Sequence, residues 1–171
     1  MHWKIALGVV GACAFFSSLA AAQKPDLSDG DKKFLEQAAD EDMTEAHLGQ
    51  MAEKSASASP VRDFAQKLER DHTDGYQGLT ELAGKSGANI PKGIDIRKDR
   101  SLAELAHLKG NNFDRQFLDR EIRDHKRALA EFRREAAHGR NADVKAYAGK
   151  MVPILEDDLR MAESLAKNHH G

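Results

Sequence analysis

Apolar side chains recur every third or fourth residue through four long segments of this chain, a period that commits each segment to a helix with one stripe to bury. The first, from about 29 to 57, carries Phe34, Ala38, Leu48 and Ala52, interrupted by Glu41 and Glu45. The second opens at Ser59-Pro60, with Ser59 expected as N-cap and Pro60 at the first helical position, where its missing N–H costs nothing. Its stripe runs through Val61, Phe64, Leu68, His72, Leu79 and Leu82 to a stop at Gly87. The third starts near Asn111 or Asn112 and carries Phe113, Phe117, Ile122, His125, Leu129 and Phe132 as far as Gly139. The fourth, from about 141 to 167, carries Val144, Tyr147, Met151, Leu155, Asp158, Ala162 and Leu165. Pro153 lies inside it, where a kink is expected because proline lacks a backbone donor and crowds the preceding turn.

Short links join the first segment to the second and the third to the fourth, so each pair forms an antiparallel hairpin. The stretch between the hairpins, Ala88 to Gly110, is too long for a bare turn, and Ser101 to Leu108 within it has the pattern of a short helix. The expected fold is all-α, a ferritin-like antiparallel four-helix bundle with a long middle crossover containing a short helix. The hairpins also echo each other: Phe64 stands to Asp71-His72 as Phe117 stands to Asp124-His125, and Val144, Tyr147, Ala148 and Met151 fall like Val61, Phe64, Ala65 and Leu68. Such an echo fits a duplication, and equally two similar helices solving one packing problem.

Residues 1–22 have the form of a secretory signal peptide: Lys4, an apolar run from Ile5 to Phe16, then Leu19-Ala20-Ala21-Ala22 before a cut at Gln23. The apolar run is shorter than a membrane-spanning helix requires, and no later segment could span. Residues 23–171 are then one exported helical domain, periplasmic or secreted, from which Cys13 and Trp3 have departed. Without cysteine, its stability must come from packing rather than disulfides. The whole chain has 171 residues with 26 Lys and Arg against 28 Asp and Glu, a formal charge of -2. That balance offers no electrostatic case for nucleic acid.

Each helical segment places an ionisable residue on its apolar stripe near the middle: Glu45, His72, His125 and Asp158. Glu45 and His72 lie almost equally far from the first turn, and His125 and Asp158 lie less evenly about the second, so the four can meet in one layer. Buried carboxylates must pair, protonate or bind a cation. One reading pairs His72 with Glu45 and His125 with Asp158, fixing the register of each hairpin without metal. The other makes the four a ligand set for a divalent metal (Zn, Fe or Mn), with Glu41 and Glu121 as reserve ligands. Glu69 adds one E-x-x-H tetrapeptide with His72, but the fourth segment offers only Glu156-Asp157-Asp158 and no second such motif. Asp71 and Asp124 are expected at the rim as partners. No glycine-rich phosphate loop or activated nucleophile is present in the pattern, so no catalytic residue is assigned.

These pieces resemble the DUF4142 family. The likeness rests on Ala38-Ala39 through Glu45, Leu48-Gly49 and Ala52, on Val61 and Phe64-Ala65 leading to Asp71-His72, on Phe113-Asp114 leading to Asp124-His125, and on Pro153 with Leu159, Ala162 and Leu165. It implies an exported bacterial protein with a ferritin-like four-helix fold and no assigned general activity. Members commonly carry a histidine directly before the leucine that corresponds to Leu159, whereas this chain has Asp158 there. The departure keeps a ligand type but makes the layer poorer in histidine. Two function classes follow: a noncatalytic exported bundle acting in envelope stress or through an unknown protein partner, or a periplasmic metal-binding bundle using Glu45, His72, His125 and Asp158.

Overall fold

The computed structural model describes residues 27–94 and 100–169, with the side chains of Arg100, Ser101 and His169 excepted. The expected leader, residues 1–22, lies outside the described residues. The described chain folds into five helices, α1 Asp29–Ser55, α2 Ser59–Ser86, α3 Arg100–Ala106, α4 Gly110–His138 and α5 Ala142–His169, with no strand among the described residues. Four of them match the four periodic segments, and α3 is the short helix of the crossover. None is long and apolar enough to cross a membrane.

Local chemistry sets most of the boundaries. Ser28 and Asp31 form a capping box at the start of α1, the Ser28 Oγ accepting the Asp31 N–H at 3.1 Å and an Asp31 oxygen accepting the Ser28 N–H at 2.9 Å. Gly87 ends α2 with φ 75, a left-handed conformation that costs glycine little. Asn141 caps α5 by accepting the backbone N–H groups of Asp143 and Val144. Ser59 is not the N-cap of α2. It is already helical, and Ala58 stands at the cap without a side-chain bond of its own. The helix α5 runs through Pro153 as one element.

The missing cap at α2 is supplied from across the bundle. Asp114, near the start of α4 and fully buried, accepts the Ser57 and Ala58 N–H groups at 2.9 and 3.0 Å and the Ser57 hydroxyl at 2.7 Å. At the other end Asp31 of α1 accepts the backbone N–H groups of Arg140 and Asn141, in the α4–α5 turn. Each hairpin turn is therefore held by an aspartate from the opposite hairpin. One constant shift pairs Asp31 with Asp114, Phe34 with Phe117, Leu35 with Leu118, Val61 with Val144 and Ala83 with Ala166. By these caps and core positions α4 corresponds to α1, not to α2 as its Asp-His pair suggests. Replacing Asp114 by Ala should lower stability by about 3 kcal/mol, since the turn loses charge-assisted bonds inside the protein. Urea unfolding should show a lower midpoint with an unchanged slope.

The hairpins are tightly packed within themselves, α1 on α2 and α4 on α5, while α2 with α5 and α1 with α4 meet less closely. Because α2 ends where α1 begins and α4 starts beside the α1–α2 turn, the crossover must travel the length of the bundle, about 40 Å for helices of this size. Ile90 anchors it in the apolar cluster at one end, and Leu102 and Leu105 of α3 anchor it at the other. Tyr76 fixes its beginning by donating to the Pro91 carbonyl at 2.9 Å.

The core is divided. One apolar cluster holds Leu35, Ala39, Leu79, Ala128, Phe132 and Leu155, and a second holds Leu48, Leu68, Phe64, Phe117, Leu118 and Ala162. Along each long helix, cluster gives way to cluster at a polar residue: between Ala39 and Leu48 at Asp42 and Glu45, between Leu68 and Leu79 at His72, between Leu118 and Ala128 at Glu121 and His125, and between Leu155 and Ala162 at Asp158.

Candidate functional site

The four residues singled out by their place on the apolar stripes all lie in this dividing layer, and all are buried: Glu45 3 %, His72 1 %, His125 1 % and Asp158 0 % exposed. The imidazoles stand edge to face, with ring centroids 5.6 Å apart. The expected hairpin pairs do not form.

His72 turns its Nδ1 to Asp42 at 2.8 Å, not to Glu45. Asp42 lies one turn before Glu45 on the same face, and its second oxygen accepts the Tyr147 hydroxyl at 3.0 Å. It fits there because Gly75 faces it; a Cβ at Gly75 would stand 2.8 Å from an Asp42 oxygen. Burial opposes charge on His72, but the bonded Asp42 and the nearby Glu45 and Asp158 outweigh it and push the imidazole up to about 9.

His125 likewise does not bond to Asp158, whose Oδ2 is 3.8 Å from Nε2. Its Nδ1 lies 3.0 Å from the carbonyl of Glu121, one turn earlier. A carbonyl can only accept, so Nδ1 carries the proton and Nε2 presents a lone pair. Burial and the charge of His72 push this imidazole down to about 3, so it is neutral at pH 7. Asp158 is instead engaged through Oδ1 by the Lys67 ammonium at 2.6 Å. Lys67 also reaches Asp71 at 2.6 Å and Asp157 at 3.1 Å, covering the layer on the α2–α5 side. Asp71 is thus a rim partner, and Asp124 is another, bound to Arg120 and Arg127.

Glu121, expected only as a reserve ligand, is fully buried and belongs to the layer itself. Burial and the charge of Glu45 push its carboxyl well above the usual range, and burial raises Glu45 too. Glu41 stays at the edge, 16 % exposed and 3.8 Å from Arg127, pushed up to about 8 by burial and by Glu45. Glu69 is outside: its carboxylate accepts from Gln50 at the surface, so the E-x-x-H tetrapeptide does not build a site.

What remains, with the carboxylates ionised, is a set of inward atoms with no hydrogen-bond partner: Glu45 Oε2, His72 Nε2, both Glu121 oxygens, His125 Nε2 and Asp158 Oδ2; a proton on Glu121 lets it donate to Glu45. They fall into two overlapping triads, His72 with His125 and Asp158, and Glu45 with Glu121 and His125, in each of which one donor atom per residue lies within 4.8 Å of the others. All four long helices contribute. Sequence reasoning missed Asp42 and Lys67, although each had a signal: Asp42 shares the helix face of Glu45, and Lys67 stands one turn before Asp71.

The fold has a solved counterpart. A crystal structure of a DUF305 fragment from Deinococcus radiodurans superposes with a TM-score of 0.73 at 18 % identity, covering 84 % of this chain and 99 % of that one. No curated protein sequence matches the chain. The family model described as Domain of unknown function (DUF4142) matches residues 16–165, and with the caps, crossover and divided core in place the chain belongs to that family.

Proposed function

We propose that this protein is an exported metal-binding bundle that holds a divalent transition ion in the polar layer between its four long helices. The observation that carries this reading is the set of unpartnered nitrogen and oxygen atoms converging from all four helices. Leaving such atoms buried and unbonded costs about 1–3 kcal/mol each, a cost that a shared cation removes. Both imidazoles also have their Nδ1 already bound, His72 to a carboxylate and His125 to a carbonyl, leaving Nε2 to face the layer. That outer bonding is how ligand histidines are oriented and made more basic. Two imidazoles with carboxylates suit zinc, iron or manganese rather than calcium or magnesium, which favour all-oxygen cages. The leader-like residues 1–22 support a periplasmic or secreted location.

Within this reading Asp42 holds the His72 ring in register, and Lys67 neutralises Asp158 on the outer side. Glu45 and Glu121 supply negative charge opposite the imidazoles. The elevated carboxyls also allow a layer neutralised by protons alone, in which the protein is a noncatalytic bundle with a role carried by its surface. Elemental analysis of the untagged mature chain exported to the periplasm separates the two. The metal reading expects near-stoichiometric zinc, iron or manganese in the wild type and its loss in the double variant His72→Gln, His125→Gln. A wild type that stays metal-free after loading, but loses stability in either single variant, would establish the proton-neutralised layer instead.

A further inference from the structure

The layer is not equally accessible from its sides. Toward α2 and α5 it is closed by the Lys67 side chain, held across the layer by its contacts with Asp71, Asp157 and Asp158. On the α1–α2 side a groove of about 310 Å³ reaches His72 and Asp42. There both Asp42 oxygens are already used, by His72 and Tyr147, and among the described residues no other carboxylate lines the way. The α1–α4 side differs. A groove of about 340 Å³ runs between those helices with Asp40 and Glu131 on its walls, Glu41 within it and Glu45 lining its inner part. Its two arginines, Arg120 and Arg127, both pair with Asp124, and Arg127 also stands 3.8 Å from Glu41, so the groove is lined by five acids against two cations. This is also the seam where the helices of the two hairpins meet least closely.

Glu45 makes this groove more than an acidic patch. It is 3 % exposed, its Oε2 has no hydrogen-bond partner, and it belongs to one of the two donor triads. Glu41 stands one helical turn before it, on the same face of α1, with its carboxylate partly open to solvent. The volume suffices for an ion that still carries several waters, each of about 30 Å³. We infer that divalent cations reach the buried layer through the α1–α4 groove, and that Glu41 is the carboxylate that receives them and passes them to Glu45. The inference rests on the metal-binding reading given above. In it Glu41 is a transfer group that exchanges its oxygen for a water of the ion during passage, not a resident ligand.

A transfer group lowers the barrier for entry and exit alike, whereas a resident ligand changes the equilibrium. Cobalt(II), whose visible absorption reports bonding to imidazole and carboxylate, is the probe. Stopped-flow loading of the metal-free protein at pH 9, where the Glu41 carboxyl held up to about 8 is ionised, and release to a chelator, should both slow roughly tenfold in Glu41→Gln, within the range by which acidic clefts focus cations, with an unchanged Kd. His47→Gln, in the α1–α2 groove, should load at the wild-type rate. Loading of Glu41→Gln at the wild-type rate overturns the route, as does a weaker Kd arising from faster release alone, which would make Glu41 a ligand. Slow loading of His47→Gln beside normal Glu41→Gln moves entry to the other groove and overturns it too. A wild type that takes up no cobalt overturns the metal-binding reading, and the route with it. Uptake by the wild type at a rate indifferent to Glu41 sinks the route alone.

Discussion

Replacing Asp42 by Ala is expected to cost about 3–5 kcal/mol of stability at pH 7 in the presence of a chelator, among the largest effects of any single polar substitution in this protein. The substitution removes the one carboxylate bonded to the His72 Nδ1 and the nearer of two acceptors of the Tyr147 hydroxyl, at a position only 1 % exposed. His72 must then give up its proton or stay charged in an apolar surrounding, and either outcome is costly. The loss therefore measures the orphaned imidazole as much as the lost bond. A second substitution makes the distinction: in the Asp42→Ala background, His72→Gln removes the orphan and should cost far less than it does in the wild type. Denaturant unfolding of the four proteins closes the cycle. A cost below about 1 kcal/mol for Asp42→Ala would mean that the pair does not hold the layer together.

The two histidines should give opposite pH signatures. His72 is raised from its ordinary 6.5 to about 9, so its contribution is fully present below pH 6.5 and is lost as pH rises through about 9. A shift of that size is worth about 3 kcal/mol. The stability difference between the wild type and His72→Gln should accordingly shrink across the alkaline range. His125 is lowered to about 3. The fold holds it neutral, the unfolded chain takes up a proton below 6.5, and the wild type therefore loses stability as pH falls from 6.5 toward 3, by up to about 4 kcal/mol. His125→Gln lacks that proton and should lose correspondingly less in acid. Unfolding curves of the three metal-free proteins between pH 4 and 10 test both statements, and curves that run parallel across the range would contradict them.

The opposition of the two imidazoles comes from partners the sequence does not pair. The apolar stripe of α2 makes His72 inward, and that of α4 makes His125 inward, because a helical period fixes which face a residue shares with its neighbours. It does not fix which atom meets the ring edge. Asp42 and Glu45 share one face of α1 and differ by a methylene and most of a turn. The cleft left by Gly75 and the hydroxyl of Tyr147, on another helix, decide for Asp42. Likewise Asp158 looked like the partner of His125 until Lys67, from a different hairpin, took its oxygen. Glu121 was legible only as a neighbour of an inward residue, since its position one turn before His125 fits a rim as well as a core. Ser59 was misread as a cap for the same reason: the bonds that close the α1–α2 turn come from Asp114, far along the chain.

The sequence by itself determined four helices, their hairpin pairing, the long crossover and the four polar residues that interrupt the apolar stripes. These follow from local period, from turn chemistry and from loop length, all of which act between near neighbours. Only the tertiary structure decided that the stripes split into two apolar clusters with one polar layer between them, which donor atoms of that layer remain without partners, and which flank is plugged by Lys67 while another opens at Glu41. Those are matters of distance and direction between helices from separate hairpins, and the free energy of a buried charge depends on a partner within a few ångströms rather than on its place along the chain.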